Sequence, residues 1–412
     1  MSTRNLTIAR LAPPKSAWRR LAARDSLVRR IDWVLLLAAL ALSGLGIVLI
    51  YSATRNRTGI TGGDPQFFLI RQTINLAIGV ALAVGVMWLG HQRLRSFVPV
   101  FFALSLGAML LVFSPLGTEI NGQRAWLSIG GYTLQPGEFA KVAVVLGLAV
   151  ILADQVDAGD REFPGTKAIL QALGLAAIPL AVVVVDDMGM AMVLSVIVLG
   201  ILLASGSPLR WSLGLIAAGI AAAVLVWLLG LLDSYQIDRF AAFADPSRDP
   251  SGVGYNTNQA RIAIGTGRVW GSGLFNGTQT TGQFVPEQHT DFIFTVAGEE
   301  LGFVGAGGII LLIGVVLWRA LRIARESTDL YSTVIAAGIV AWLAFQCFEN
   351  IGMALGIMPV AGIPLPFLSY GGTAMFAVWI AVGLLQSVRM KRPLSVTAAP
   401  AAGRAARAMP VR

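Results

Sequence analysis

The stretch PEQHTDFIFTVAGEELGFVGAGGIILLI, residues 286–313, begins with polar and charged residues and ends in an apolar run. It places His289, Asp291, Glu299 and Glu300 at or inside the mouth of a segment whose other residues suit lipid. Ionisable groups in a membrane are costly and usually mark a functional site. The stretch therefore predicts a membrane-spanning helix with a polar site at one end.

The composition of the whole chain is that of a membrane protein. Apolar residues make up 56% of the 412 residues and charged residues only 13%, whereas a soluble domain needs more polar surface. The single cysteine, Cys347, excludes a disulfide framework and a thiolate metal site. With only two histidines, His91 and His289, a histidine-rich metal cluster is excluded as well.

Positive charge is concentrated at both ends of the chain. The first thirty residues contain eight Lys/Arg and one acid, and the tail from Arg389 contains six Lys/Arg and no acid. Because both tails adjoin apolar spans, they indicate cytoplasmic ends rather than arms that bind nucleic acid. We predict basic cytoplasmic tails at residues 1–30 and 391–412, the second of them disordered. Residues 31–51 are too long for a signal-peptide core.

Span-length apolar segments recur between the tails, and we predict one all-α membrane domain over residues 31–390. An even number of spans returns both termini to the cytoplasm, in agreement with the basic tails. The ten predicted transmembrane helices are residues 31–51, 72–90, 96–114, 135–153, 168–185, 188–205, 211–232, 292–318, 331–356 and 371–388.

Three polar or irregular elements fall on the external side of this topology. They are residues 117–135, the long segment 233–291 between the seventh and eighth helices, and GIMPVAGIPLPFLSYGG at 356–372. Proline and glycine exclude a regular helix from the third element, and non-helical backbone at membrane depth needs cover from protein or a water-filled cavity. Together the three elements predict one cavity that opens outward.

Several charged residues have both a structural and a functional interpretation. Glu138 and Lys141 lie three residues apart on one helix face, so they form a structural ion pair or offer Lys141 to an anion. Asp186 and Asp187 suit a solvated turn. Glu349 and Asn350 suit hydrogen bonds between helices.

For the external residues the alternatives remain open too. Asp291 is either a helix N-cap or a general base at the lip of the cavity. Arg239 pairs with local acids or binds substrate. Trp126, next to Arg124, is an anchor at the membrane interface or a platform for a sugar ring.

Four motifs resemble one family of membrane proteins over about residues 31–390. The motifs are GQRAWLSIG with LQPGEFAK, DPSRDPSGVGYNTNQARIAIGTG, GTQTTGQFVPEQHTDFIFTVAGEELG and GIPLPFLSYGG. The family is the SEDS polymerases, named for shape, elongation, division and sporulation. The GTQ at 277–279 is more similar to its elongation branch, RodA, than to its division branch, FtsW.

This resemblance implies a ten-helix peptidoglycan glycosyltransferase that polymerises lipid II on the outer face of the cytoplasmic membrane. It implies a class B penicillin-binding protein as transpeptidase partner, together with the elongation machinery. Asp291 matches the family's essential aspartate. The substrate-binding candidates are Trp126, Arg124, Lys141, Glu138, Gln135, Arg71, Arg239, His289 and Glu300. A divalent cation, Mg²⁺ or Mn²⁺, is a candidate aid, although no dedicated metal site is evident.

The chain also departs from the family pattern. Gly137 stands where the family commonly has serine, Gly267–Arg268 stand where it has two glycines, and VDDMG stands for QPDLG. A second function class is a flippase for a lipid-linked precursor, which requires a charged path through the middle of the bundle. A third is a non-catalytic scaffold for a cell-wall synthase.

Overall fold

A computed structural model describes residues 30–391 except 121–122, 131, 160–161, 185, 231–236, 238, 240–242 and 244–251. The predicted tails therefore lie outside the described residues apart from Arg30 and Lys391, as does most of 231–251. Within the described part the protein is mostly helical, as predicted.

The described residues form eleven longer helices, and ten of them coincide with the ten predicted spans. The helices are α1 (Trp33–Thr54), α2 (Phe67–Leu89), α3 (His91–Leu111), α4 (Pro136–Asp157), α5 (Thr166–Val183), α6 (Met188–Ala204), α7 (Leu209–Leu228), α8 (Val253–Thr266), α9 (Ile293–Arg325), α10 (Leu330–Leu355) and α11 (Gly372–Met390). Nine of the described helices are long and apolar enough to cross a membrane, and α6 is a shorter apolar helix of 17 residues. Helix α8 belongs to the segment between α7 and α9.

A small antiparallel sheet between α3 and α4 was not predicted. Its strands β1 (Gly117–Ile120), β2 (Gln123–Ile129) and β3 (Tyr132–Leu134) follow one another in space as in sequence. The β2–β3 hairpin pairs Ile129 with Tyr132 and so has a two-residue turn, in which Gly130 takes a φ of 58°. Such turns favour positive φ and hence glycine. The sheet lies over the end of α4 and places Trp126 beside the cavity described below.

Helix α9 is interrupted at Gly302, where φ is 67° and ψ is −168°. A Cβ atom here would lie 2.2 Å from the backbone nitrogen of Gly271, so only glycine fits. The chain after α8 fills the break: Phe303 N donates to Arg268 O at 2.8 Å, and Ser272 N donates to Glu299 O at 2.9 Å. The predicted single span is thus a short helix, 293–301, followed by a longer one.

The irregular segment 356–371 is held inside the bundle, as predicted from its prolines and glycines. It contains no helix or strand, and most of its residues between 361 and 369 are buried. Helix α1 approaches it closely at Gly46, where a Cβ atom would lie 2.6 Å from Leu368 O. Helices α4, α10 and α11 form much of the buried core, with Trp342 and Trp379 fully enclosed. The buried segment borders the candidate site.

Candidate active site

An open cavity of about 310 Å³ lies between the sheet, the start of α2, the approach to α9 and the segment 356–371. Its volume is at the lower end of the range for small-molecule sites. Residues from all three predicted external elements line it, in agreement with the expectation of one cavity. Six predicted site residues are among its lining: Asp291, His289, Trp126, Gln135, Arg71 and Arg239.

The backbone that carries Asp291 is fixed by hydrogen bonds from two other elements. Three successive carbonyl groups accept these bonds: His289 O from Tyr370 N at 2.9 Å, Thr290 O from Ser369 Oγ at 2.5 Å, and Asp291 O from Asn350 Nδ2 at 2.8 Å. The donors belong to the irregular segment and to α10. Because three consecutive residues are anchored, the position of Asp291 is set by the bundle.

Asp291 is not a helix cap. The residue at the N-cap position of α9 is Phe292, and no side chain caps that end. Burial and the nearby Glu287 raise the pKa of Asp291 to about 7, although Arg239 acts to lower it. A general base works best when its pKa lies near the operating pH. Both observations favour the interpretation of Asp291 as a base.

Glu287 is a cavity residue that the sequence analysis did not single out. Its carboxylate accepts a hydrogen bond from Thr290 Oγ1 at 3.0 Å, and its backbone has a φ of 49°. A non-glycine residue in this left-handed region is strained and often functional. Its position four residues before Asp291 in the same motif is the feature of the sequence that could have identified it as a cavity residue.

Two arginines supply positive charge to the cavity. The guanidinium of Arg71 lies 4.2 Å from the ring centre of Phe67 and 5.3 Å from that of Tyr132. Arg239 donates to Ala361 O at 3.2 Å. A Cβ atom on Gly362 would have Arg239 at 3.4 Å and Asp291 at 3.7 Å, so the arginine and the aspartate flank the same glycine. The site therefore combines a carboxylate with two guanidinium groups.

His289 is packed between aromatic rings. Its ring centre lies 5.0 Å from that of Phe68 and 5.8 Å from that of Tyr370. Burial lowers the pKa of His289 to about 4, so the ring is neutral at pH 7. A neutral, enclosed imidazole suits a residue that orients the loop before Asp291 better than one that transfers a proton.

The expectation of a solvated turn is wrong for Asp187. Its side chain is buried, accepts a hydrogen bond from Met190 N at 2.8 Å at the start of α6, and accepts another from Gln135 Nε2 at 3.2 Å. Burial raises the pKa of Asp187 to about 6. Since Gln135 lines the cavity, Asp187 lies directly behind the cavity wall.

Four predicted substrate-binding residues lie outside the cavity lining. Lys141 is enclosed: Nζ donates to Glu138 at 2.8 Å and to Gln346 Oε1 at 3.0 Å, and it lies over the ring of Trp342. Glu138 and Lys141 thus form the structural ion pair. Arg124 and Glu300 contact other parts of the bundle: Arg124 donates to Val112 O and Ser114 O, and Glu300 accepts from Ser52 Oγ at 2.5 Å.

The GTQ stretch lies next to the buried carboxylate of Glu299. Its buried carboxylate accepts hydrogen bonds from Gln279 N at 2.7 Å, Thr280 N at 2.8 Å and Thr280 Oγ1 at 2.7 Å. These donors form the start of a helical turn, Thr278–Thr281. An anion at a helix N-terminus is stabilised by the free amide groups there. The motif that pointed to the elongation branch therefore packs against Glu299 and does not line the cavity.

Comparison with protein families gives one match over nearly the whole membrane domain. The model described as "Cell cycle protein", FTSW_RODA_SPOVE, matches residues 32–393. A relative from Trichlorobacter lovleyi, named "Probable peptidoglycan glycosyltransferase FtsW", is 34% identical over 364 residues, 87% of this chain and 92% of that protein. A relative of the same name from Thioalkalivibrio sulfidiphilus is 36% identical over 366 residues, 88% of this chain and 90% of that one.

Solved structures with a similar fold agree. One is described as "Structural coordination of polymerization and crosslinking by a peptidoglycan synthase complex"; its chain has a TM-score of 0.70 and 31% identity, and the match covers 87% of this chain and 97% of that one. Another is the Rod shape determining protein RodA of Thermus thermophilus, with a TM-score of 0.63, 29% identity, and coverage of 87% and 96%. The sequence and the fold therefore lead to the same group of proteins.

Proposed function

Because the chain belongs to the FtsW, RodA and SpoVE family of cell cycle proteins, we propose that it polymerises lipid II into glycan strands. The protein is a multi-pass protein of the bacterial cytoplasmic membrane, and as a SEDS family member it is a peptidoglycan glycosyltransferase. The observation that supports the proposal most is the cavity in which Asp291, Arg71 and Arg239 meet.

The proposed reaction is a single displacement with inversion. Lipid II is an α-linked disaccharide on a pyrophosphate, and a β-1,4 bond forms when the 4-hydroxyl of the acceptor sugar attacks the anomeric carbon. The bond from that carbon to the pyrophosphate oxygen breaks, and the hydroxyl proton passes to a base. Asp291 is the proposed base, because its carboxylate borders the cavity on a fixed backbone and has a pKa near 7.

The two arginines of the cavity suit the leaving group. Pyrophosphate departs with negative charge, so it needs charge neutralisation more than a general acid. Arginine donates two parallel hydrogen bonds to phosphate oxygens, which makes Arg71 and Arg239 the candidates. No group of three or more metal-ligating side chains occurs among the described residues, so a divalent cation would depend mainly on the substrate's own phosphates for its ligands.

The flippase alternative is less well supported. It needs charged groups exposed along a path through the bundle, and its candidates are Glu138, Lys141 and Glu349. In the described structure all three are almost fully buried, and Lys141 donates hydrogen bonds to Glu138 and to Gln346. The charged groups that border the open cavity are instead Arg71, Arg239, Glu287 and Asp291.

Within the family we propose a role in division. The two curated relatives described above are both named FtsW, which favours division over the elongation role predicted from GTQ. Depletion in the source bacterium tests this: filaments with blocked septa are expected, whereas rounded cells would support elongation.

The proposed partner is a class B penicillin-binding protein. The structural match to a chain of a peptidoglycan synthase complex supports such a partner. Co-purification of the tagged chain from its own membranes tests this, with recovery of a transpeptidase expected and its repeated absence counting against the proposal.

The enzymatic proposal is tested by glycan synthesis from purified lipid II, with the transpeptidase partner present. Wild-type protein is expected to make polymer and Asp291→Asn is expected to make none. If neither protein makes polymer, the scaffold interpretation replaces the polymerase.

A further inference from the structure

Asn350 makes two hydrogen bonds that join the candidate base to the irregular segment. Its side chain is fully buried in α10, and Nδ2 donates to Asp291 O at 2.8 Å and to Ile363 O at 2.8 Å. Both acceptors are backbone carbonyls, and Asp291 and Gly362, which precedes Ile363, border the cavity. The amide therefore bridges two walls of the site without lining the cavity itself.

The chemistry of this contact requires an NH₂ group. Two carbonyl oxygens face one nitrogen, and only a group with two N–H donors satisfies both. Oδ1 of the same side chain is buried with no hydrogen-bond partner among the described residues. A buried acceptor without a partner is costly. The two N–H donors of Asn350 therefore satisfy both carbonyl groups, while its own Oδ1 has no hydrogen-bond partner among the described residues.

One turn earlier on the same face of α10, Gln346 makes a parallel contact. Its Nε2 donates to Pro364 O at 2.7 Å, and Pro364 also lines the cavity. The two amides hold consecutive carbonyls of the irregular segment, but only Asn350 also reaches the Asp291 backbone. Gln346 also accepts hydrogen bonds from Lys141 and Trp342, so its substitution is a control for damage to α10 that leaves the Asp291 backbone bonded.

We propose that Asn350 is a positioning residue for glycosyl transfer, which holds the carboxylate of Asp291 at a fixed place relative to the opposite wall of the cavity. The inference rests on the proposed role of Asp291 as the base. Without Asn350 the backbone at Asp291 keeps its neighbours' bonds from Tyr370 and Ser369 but loses its own. The carboxylate then shifts relative to Glu287, Arg239, Asp187 and His289, the titratable and charged groups around it.

The test compares Asn350→Leu with Gln346→Met, two uncharged substitutions of nearly conserved size, in the full chain with its transpeptidase partner. Misplacing a reacting group by about 1 Å costs about 100-fold in rate. Asn350→Leu is expected to lower kcat about 10- to 100-fold with KM for lipid II changed by less than about threefold. The pH at half-maximal rate is expected to move. Gln346→Met is expected to leave that pH unchanged.

If Asn350 had a purely structural role, its loss would lower only the amount of folded enzyme. The rate is therefore divided by the amount of monodisperse protein, which is measured without reference to activity. If Asn350→Leu does not fold, Asn350→Ser, which keeps one donor, is measured in the same way. The inference is overturned if the folded variant has a kcat within about threefold of wild type and an unchanged pH midpoint while Asp291→Asn is inactive. Normal synthesis by Asp291→Asn would instead overturn the proposed role of Asp291 as the base, and the absence of polymer from wild type would overturn the proposed function.

Discussion

The ionisation of Asp291 predicts how glycan synthesis depends on pH. A base with a pKa of about 7 is about one-tenth ionised at pH 6 and about nine-tenths ionised at pH 8. Since only the carboxylate accepts the proton, kcat is expected to rise about tenfold over that interval. The group titrates well above the ordinary aspartate pKa because burial and Glu287 disfavour its charged form.

Glu287→Gln tests the cause of this shift. The amide keeps an oxygen to accept the hydrogen bond from Thr290 but removes the charge that raises the pKa of Asp291. The midpoint of the pH profile is expected to fall by about half to one pH unit, a usual size for one nearby charge that is partly screened. The rate at pH 6 therefore rises relative to the rate at pH 8.

The assay is the initial rate of polymer formation from lipid II between pH 5.5 and 8.5, with partner protein in excess. Glu119→Gln is the matched control, since Glu119 lies exposed on β1 and does not line the cavity. It should leave the profile unchanged. A wild-type midpoint near pH 4, or a midpoint that Glu287→Gln does not move, would refute the assignment of the titrating group to Asp291 beside Glu287.

Three further predictions concern stability and local order. Lys141→Met leaves Glu138 buried without its cation and should cost about 3–5 kcal/mol, measured by thermal unfolding in detergent; an unchanged melting temperature would mean that the pair is not closed. Arg268→Gly should stabilise the protein by about 0.5–1 kcal/mol, because relief of the left-handed backbone at Arg268, where φ is 48°, exceeds the added chain entropy of glycine; Arg268→Ala, which loses the charge but not the strain, should not. Glu299→Gln should speed hydrogen exchange at the amide of Thr280, which donates to that carboxylate, and equal exchange rates would contradict the capping role.

Much of the fold follows from the sequence because lipid leaves the chain few options. Backbone groups in a membrane must be paired within the spanning segment, so apolar runs of span length predict helices directly. The irregular segment 356–371 was also predictable, since its prolines and glycines exclude a helix. Asp291 was predictable as a functional residue because an acid at the start of a membrane-spanning apolar run usually marks a functional site.

The rest depends on contacts between distant parts of the chain. Ser52 and Glu300 are 248 positions apart, and nothing local to either indicates that they pair. Lys141 and Gln346 are 205 positions apart, and nothing local to either residue indicates the hydrogen bond that helps to enclose Lys141. The β-sheet was missed because its short strands lie in a loop rich in glycine and polar residues. Asp187 was predicted to be solvated, and its burial follows from the packing of α6, which the local sequence does not indicate.

Asp291 is the proposed base of a lipid II polymerase. The most direct measurement is glycan-strand synthesis by purified wild-type and Asp291→Asn proteins, each with the transpeptidase partner, after equal folding and equal partner binding have been verified. Wild-type protein is expected to make polymer, and the variant is expected to lose at least about 100-fold of that activity. Polymer formation by Asp291→Asn at the wild-type rate would contradict the assignment of Asp291 as the base.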